Sequence, residues 1–293
     1  MEPLQPFPQC VDCLMSLAQS STALADKGNT ALQGEVEVIA RRILEANRHS
    51  DLSSPQIANL ILKEIRRLSG VSDPYSRFKA QEMASAKEIY SHIKDQFGTD
   101  LRSCAIAAVL GNSLDFFKNP EEALAEIPTQ METGPLFFYD DLGRLKTFLS
   151  KCPELILYLT DNAGEIYFDL PLYEYFRERA RRTVLVVKGG PSLNDLTRGE
   201  LKLAGLEDRF DEVADTGTDG PGIDWDHVSP EFQDLVFSAD LIVSKGMANF
   251  ETVYPRDLTS PCFFLFRVKC HAVQDYLKAP ADSFCAIWQD GRL

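Results

Sequence analysis

Short β-rich runs recur through the second half of the chain and limit what it can fold into. They are Leu155–Leu159, Thr183–Val187, Asp211–Val213, Leu241–Val243, Phe263–Phe266 and Phe284–Ile287, with amphipathic stretches between them. Their apolar residues are largely continuous rather than alternating. A strand that is apolar on both sides has to be covered on both faces, and strands separated by helices pair in parallel. The pattern predicts an α/β fold with a doubly wound, mostly parallel sheet core.

Residues 1–130 carry helical periodicity without a strong strand signal. The clearest helix starts at Ser54-Pro55, a cap residue followed by proline. It repeats Ile57, Leu60, Ile61, Ile65 and Leu68 on one face and stops at Gly70. Further helices are expected over 10–26, 34–47, 76–96, 101–110 and 120–126. Two regions follow: a helical N-terminal region over 1–130, packed on an α/β core over 131–293.

Thirty basic against 44 acidic side chains give a net charge of −14. This disfavours nucleic acid as a partner, because phosphate backbones require clustered Lys and Arg. An anionic small substrate then needs local cations or a metal ion. No apolar stretch approaches the roughly 20 residues that cross a bilayer. The proline-rich start "MEPLQPFPQC" lacks the basic-then-apolar order of a signal peptide. Seven scattered cysteines form no disulfide framework, so the expectation is a cytoplasmic protein with reduced thiols.

In an open parallel sheet, ligands bind beyond the carboxyl ends of the strands. Here those ends read Asp161-Asn162-Ala-Gly-Glu165, then "KGGPSLND" (Lys188 to Asp195), "DTGTDGPG" (Asp215 to Gly222), "SKGMANFE" (Ser244 to Glu251) and "FRVKC" (Phe266 to Cys270). Asp161, Asn162 and Asp195 offer the hard oxygen donors that Mg²⁺ and Mn²⁺ favour. Lys245 and Lys269 arrive as point charges suited to phosphate, and the glycines let backbone approach an anion. Singly, an Asp-Asn pair after a strand is as readily a capped turn, and Gly217–Gly222 a plain loop. Together these ends contain the parts for metal-assisted phosphoryl transfer.

These five motifs, in this order, resemble the metal-dependent phosphatase family known as domain of unknown function 89, also described as damage-control phosphatases or protein-glutamate methyltransferase-like proteins. Cys10-x-x-Cys13 and the "GNSLDF" of Gly111 to Phe116 resemble its microbial subfamily. The resemblance spans Cys10 to about Lys278. It implies one divalent metal ion (Mn²⁺, Ni²⁺, Co²⁺ or Mg²⁺) on Asp161, Asn162 and Asp195, and Lys269 against the phosphate. The "KGMAN" segment, with Lys245 and Asn249, would help enclose the substrate. Glu165 or Asn194 would orient water or an outer ligand, and Asp219 lies in a substrate-covering loop. The implied activity is hydrolysis of phosphate monoesters of small metabolites, such as sugar phosphates or damaged phosphometabolites. The competing readings are a non-catalytic metal- or metabolite-binding protein and, with no motif behind it, a carboxyl methyltransferase.

Other signals are weaker. A covalent aspartyl phosphatase needs a second Asp two residues after Asp161, and that position is Ala163. Cys10 and Cys13 are half of a zinc site. Asp215, Asp219 and Asp226 lack the closing Glu of a calcium loop. His49, His92, His227 and His271 show no metal-ligand spacing, and Gly189-Gly190 lacks the dinucleotide fingerprint. No residue names the substrate, the metal or the oligomeric state.

Overall fold

The β-rich runs form one seven-stranded sheet. In the computed structural model, which describes residues 8–112 and 137–292, the strands are β1 (Phe137–Asp140), β2 (Leu155–Leu159), β3 (Arg182–Val187), β4 (Val213–Asp215), β5 (Leu241–Lys245), β6 (Cys262–Arg267) and β7 (Phe284–Gln289). Their order is β1-β7-β6-β5-β2-β3-β4. Strands β2 to β6 pair in parallel with one another, β7 runs antiparallel to β6, and β1 pairs parallel with β7. From β2 the chain winds outward to β3 and β4, then returns to the other side of β2 as β5. The reversal lies between β2 and β5, where open α/β sheets form their ligand crevice.

Side chains of β2 alternate between two cores, as a doubly covered strand requires. Ile156 and Tyr158 join a cluster built from α4 (Ser76–Ile93), α5 (Leu101–Gly111), α6 (Leu142–Leu149) and α7 (Ile166–Arg177). Leu155, Leu157 and Leu159 face α9 (Pro230–Ser238), α10 (Met247–Val253) and α11 (His271–Leu277). The remaining helix of the sheet region is α8 (Arg198–Leu203).

Helices α1 (Pro8–Ala25), α2 (Thr30–Ala46) and α3 (Ser54–Ser69) bury their own apolar stripe, including Leu14, Val36, Ile57 and Ile65. The α3 cap is Ser53, one residue before the expected Ser54-Pro55 start, and its backbone N–H donates to Gln56 Oε1 at 2.9 Å. Gly70 ends the helix at φ 70°. A buried ammonium ties α4 to the sheet region: Lys79 Nζ lies 2.8 Å from Asp73 and 2.7 Å from Glu200.

Two expectations shift. Strand β4 lies two residues later than Asp211–Val213. Edge strand β1 is not among the expected runs although Phe137, Phe138 and Tyr139 are consecutive apolar residues; of its residues only Phe137 is buried. The helix expected at 120–126, residues 1–7 of the proline-rich start and the "GNSLDF" residues beyond Asn112 lie outside the described residues. Among the described residues no helix is long and apolar enough to cross a membrane.

Candidate functional site

The end of β2 is stitched to the segment after β3. Leu196 N–H donates to Asp161 O at 2.9 Å and Ala163 N–H to Asn194 O at 2.8 Å, and Asn162 pairs with Asp195 as an isolated antiparallel bridge. Directly opposed residues in such a bridge stand about 4.5–5.5 Å apart. Asp161, Asn162 and Asp195 therefore occupy facing positions although more than 30 residues separate them in the chain. Asp195 is buried, and Asp161 and Asn162 are half-buried. Asp195 Oδ2 accepts from Ser192 Oγ at 3.4 Å and lies 3.6 Å from Lys188 Nζ.

A short turn at Ala163–Glu165 leads into α7 and folds Glu165 beneath the pair. Glu165 Oε1 accepts from Asn162 Nδ2 and from Asn112 Nδ2, each at 2.6 Å. Asn112, just after α5, also donates to Asp161 Oδ2 at 2.9 Å, and its Oδ1 accepts from the Arg267 backbone N–H at 3.2 Å.

The electrostatics of this corner are those of carboxylates crowded together. Burial, then the charges of Glu165 and Asp195, push the Asp161 carboxyl well above the usual range, against opposing pulls from Lys269 and Lys245. Burial likewise pushes Asp195 up to about 6, with Lys188 opposing it. Glu82, from α4, is raised to about 8 by burial, and Asn194 Nδ2 lies 3.3 and 3.2 Å from its two oxygens. Adjacent anions in a low-dielectric corner stay protonated or need a cation between them.

The donor types present, two carboxylates and one amide, are those that a hard divalent cation takes. Among the described residues no group of three or more His, Cys, Asp or Glu side chains is arranged to hold a metal ion. Cys10 and Cys13 sit one turn apart in α1, and they and the other five cysteines are free thiols.

The remaining expected site residues divide. Lys269 is exposed beyond β6 and close enough to Asp161 to offset its charge; its backbone N–H donates to Met247 Sδ at 3.2 Å. Lys245 is corrected from a substrate contact to an internal counter-ion. It is fully buried, and its three N–H donors meet Ala108 O at 3.1 Å, Glu165 Oε2 at 3.1 Å and Asp169 Oδ1 at 2.6 Å. Asn249 is corrected likewise: both its N–H groups go to backbone, Thr160 O and Lys245 O at 2.8 Å each, and its Oδ1 accepts from Lys188 Nζ at 3.2 Å. Glu165 is also buried, its oxygens taken by Asn162, Asn112 and Lys245. Asn194 is half-buried and turned toward Glu82.

Asp219 lies one strand further along the edge, paired with Arg66 of α3 at 2.8 Å. It lines a cleft of about 410 Å³ with Gly189, Gly190, Thr218, Asp224 and His227. Sequence reasoning missed Asn112, Glu82 and Lys188 as members of the corner. Asn112 and Lys188 stood inside quoted motifs, whereas Glu82 carried no signal beyond helical periodicity.

Comparison with known proteins gives one family. The damage-control phosphatase ARMT1-like domain matches residues 7–283. Over 276 residues the chain is 33% identical to a damage-control phosphatase of Pyrococcus horikoshii, covering 93% of this chain and 94% of that protein. A damage-control phosphatase of Archaeoglobus fulgidus is 30% identical over 278 residues, covering 91% and 93%. The crystal structure of a DUF89 family protein from Pyrococcus horikoshii superposes with a TM-score of 0.87 at 30% identity, covering 96% of this chain and 98% of that one.

Proposed function

The chain belongs to the damage-control phosphatase ARMT1-like family, and from that premise we propose that it is a divalent-metal-dependent phosphatase acting on phosphate monoesters of small metabolites. The observation that carries this reading is the bridge between Asn162 and Asp195, which sets Asp161, Asn162 and Asp195 on facing segments. Asp161, Asn162 and Asp195 would hold the ion. When bound, a divalent cation supplies Lewis acidity toward a phosphoryl oxygen and makes water a better nucleophile at neutral pH.

The chain's own side chains do the rest. Lys269, exposed and close enough to Asp161 to oppose the rise of its carboxyl, would donate to the phosphoryl oxygens and offset the charge that grows on them. Because Lys245 is enclosed by Glu165, Asp169 and Ala108, phosphate recognition falls on Lys269. The cleft of about 410 Å³ lined by Asp219 and Thr218 is sized for a small organic portion, and its polar lining suits hydroxyl groups.

The test is phosphate release from a panel of small phosphate esters, with Mn²⁺, Ni²⁺, Co²⁺ and Mg²⁺ added separately to chelator-treated protein. Release is expected with one or more ions, and its loss in Asp161→Ala. Metal binding without release on any ester would make the protein a non-catalytic binder, and Asp161→Ala with full activity would remove the site.

A further inference from the structure

The proposed ion ligands do not choose their own orientation. An amide can offer a ligand either its oxygen or its nitrogen, and only the oxygen binds a cation. Asn162 and Asn112 both turn toward one acceptor, Glu165 Oε1, at 2.6 Å each. A carboxylate accepts only, so both amide nitrogens face it and Asn162 Oδ1 is directed away. Asn112 also anchors Oδ2 of Asp161 at 2.9 Å, which leaves the second carboxylate oxygen for a ligand. Glu165 is fixed in turn by its other oxygen, 3.1 Å from Lys245 Nζ, with both residues at most 1% exposed.

Resting on the metal reading above, we propose that Glu165 and Asn112 are positioning residues that fix which oxygens of Asn162 and Asp161 face the cation, and that Lys245 serves as the buried counter-ion holding Glu165 in place. The conserved volume of a Glu165→Gln substitution makes it the sharpest probe. With the Gln oxygen toward the two amides, its NH₂ meets the Lys245 ammonium. With the NH₂ toward the amides, Asn162 has to turn its nitrogen toward the ion. Either arrangement weakens the site, and outer-sphere partners of metal ligands are typically worth about 10–100-fold in affinity.

Asp169→Asn is the matched comparison. Asp169 also touches Lys245, at 2.6 Å, but has no bond to either amide. Mn²⁺ binding to metal-free, full-length protein is measured by titration calorimetry, alongside melting curves from circular dichroism. Glu165→Gln is expected to raise the Mn²⁺ Kd about 10–100-fold and Asn112→Ala about tenfold, while Asp169→Asn stays within about threefold of wild type. Asn112→Ala carries the test if Glu165→Gln does not fold. Equal weakening in Glu165→Gln and Asp169→Asn, or wild-type affinity in both Glu165→Gln and Asn112→Ala, overturns the positioning role and leaves the phosphatase reading standing. Failure of the wild-type protein to bind any divalent ion removes the metal reading itself, and this inference with it.

Discussion

A Cβ placed on Gly246 would stand 2.0 Å from Oδ2 of Asp161. The missing side chain at the end of β5 therefore gives the carboxylate at the end of β2 its place. The two residues meet because β2 and β5 flank the point where strand order reverses. Gly246 also has a φ of 79°, which L side chains rarely adopt.

Gly246→Ala is accordingly expected to act twice. A non-glycine residue at that φ costs about 1–3 kcal/mol, and the added methyl displaces the Asp161 carboxylate. Denaturant unfolding should show a loss in that range, and metal-dependent phosphate release should fall at least about tenfold. Unchanged release would mean that Asp161 is not held where the ion binds.

Lys269→Met separates phosphate recognition from metal binding. Lys269 lies close enough to Asp161 to oppose the rise of its carboxyl. Removing that positive charge makes the corner more negative. Mn²⁺ affinity should stay level or tighten slightly, while kcat falls about 10²–10³-fold, the range for losing one donor to developing charge. A parallel loss of Mn²⁺ affinity would place Lys269 outside this role.

How far these features are legible in the sequence varies residue by residue. Strand β2 matches its expected span, Leu155–Leu159, because a run of five apolar residues is too short for a buried helix and all five are buried. Strand β5 extends past Val243 because Ser244 and Lys245 are buried in the strand despite being polar. That also explains why Lys245 resembles a site cation: lysines at strand ends are usually solvated, and its partner Asp169 lies on α7, 76 residues away. Asp161 and Asn162 stood out as polar residues just after an apolar run, and Asp195 as the last residue of the polar segment that follows the next run. Glu82 was invisible, since a carboxylate on an amphipathic helix reads as surface until α4 is seen packed over the turn at Ala163–Glu165.

Glu82 should make stability depend on pH. Its folded carboxyl titrates at about 8 against an ordinary value of 4.5, so the folded state holds a proton that the unfolded chain releases. Stability from this group is complete below about pH 4.5 and declines as pH rises toward 8. Glu82→Gln cannot ionise and should flatten that decline. Relative to wild type, the variant should gain a few kcal/mol between pH 4 and pH 9, read from urea unfolding at each pH in chelator. Parallel pH profiles for the two proteins would contradict the buried, protonated carboxyl.

Arg66 fastens the helical region to the sheet edge. It donates to Pro191 O at 3.2 Å and Asp219 Oδ2 at 2.8 Å, joining α3 to the loops after β3 and β4 that line the cleft. Its side chain is 15% exposed and that of Asp219 is 42% exposed, so the bond is only partly screened and its loss should cost about 1–2 kcal/mol. Arg66→Met keeps the aliphatic stem and removes the donors. Hydrogen exchange should then quicken in residues 189–191 and 217–222, with little change in β2 and β5. If the cleft holds the organic part of the substrate, KM should rise several-fold with a smaller change in kcat, because the phosphoryl group is held elsewhere. A fall in kcat at constant KM would instead place the tie between α3 and these loops in the chemistry itself.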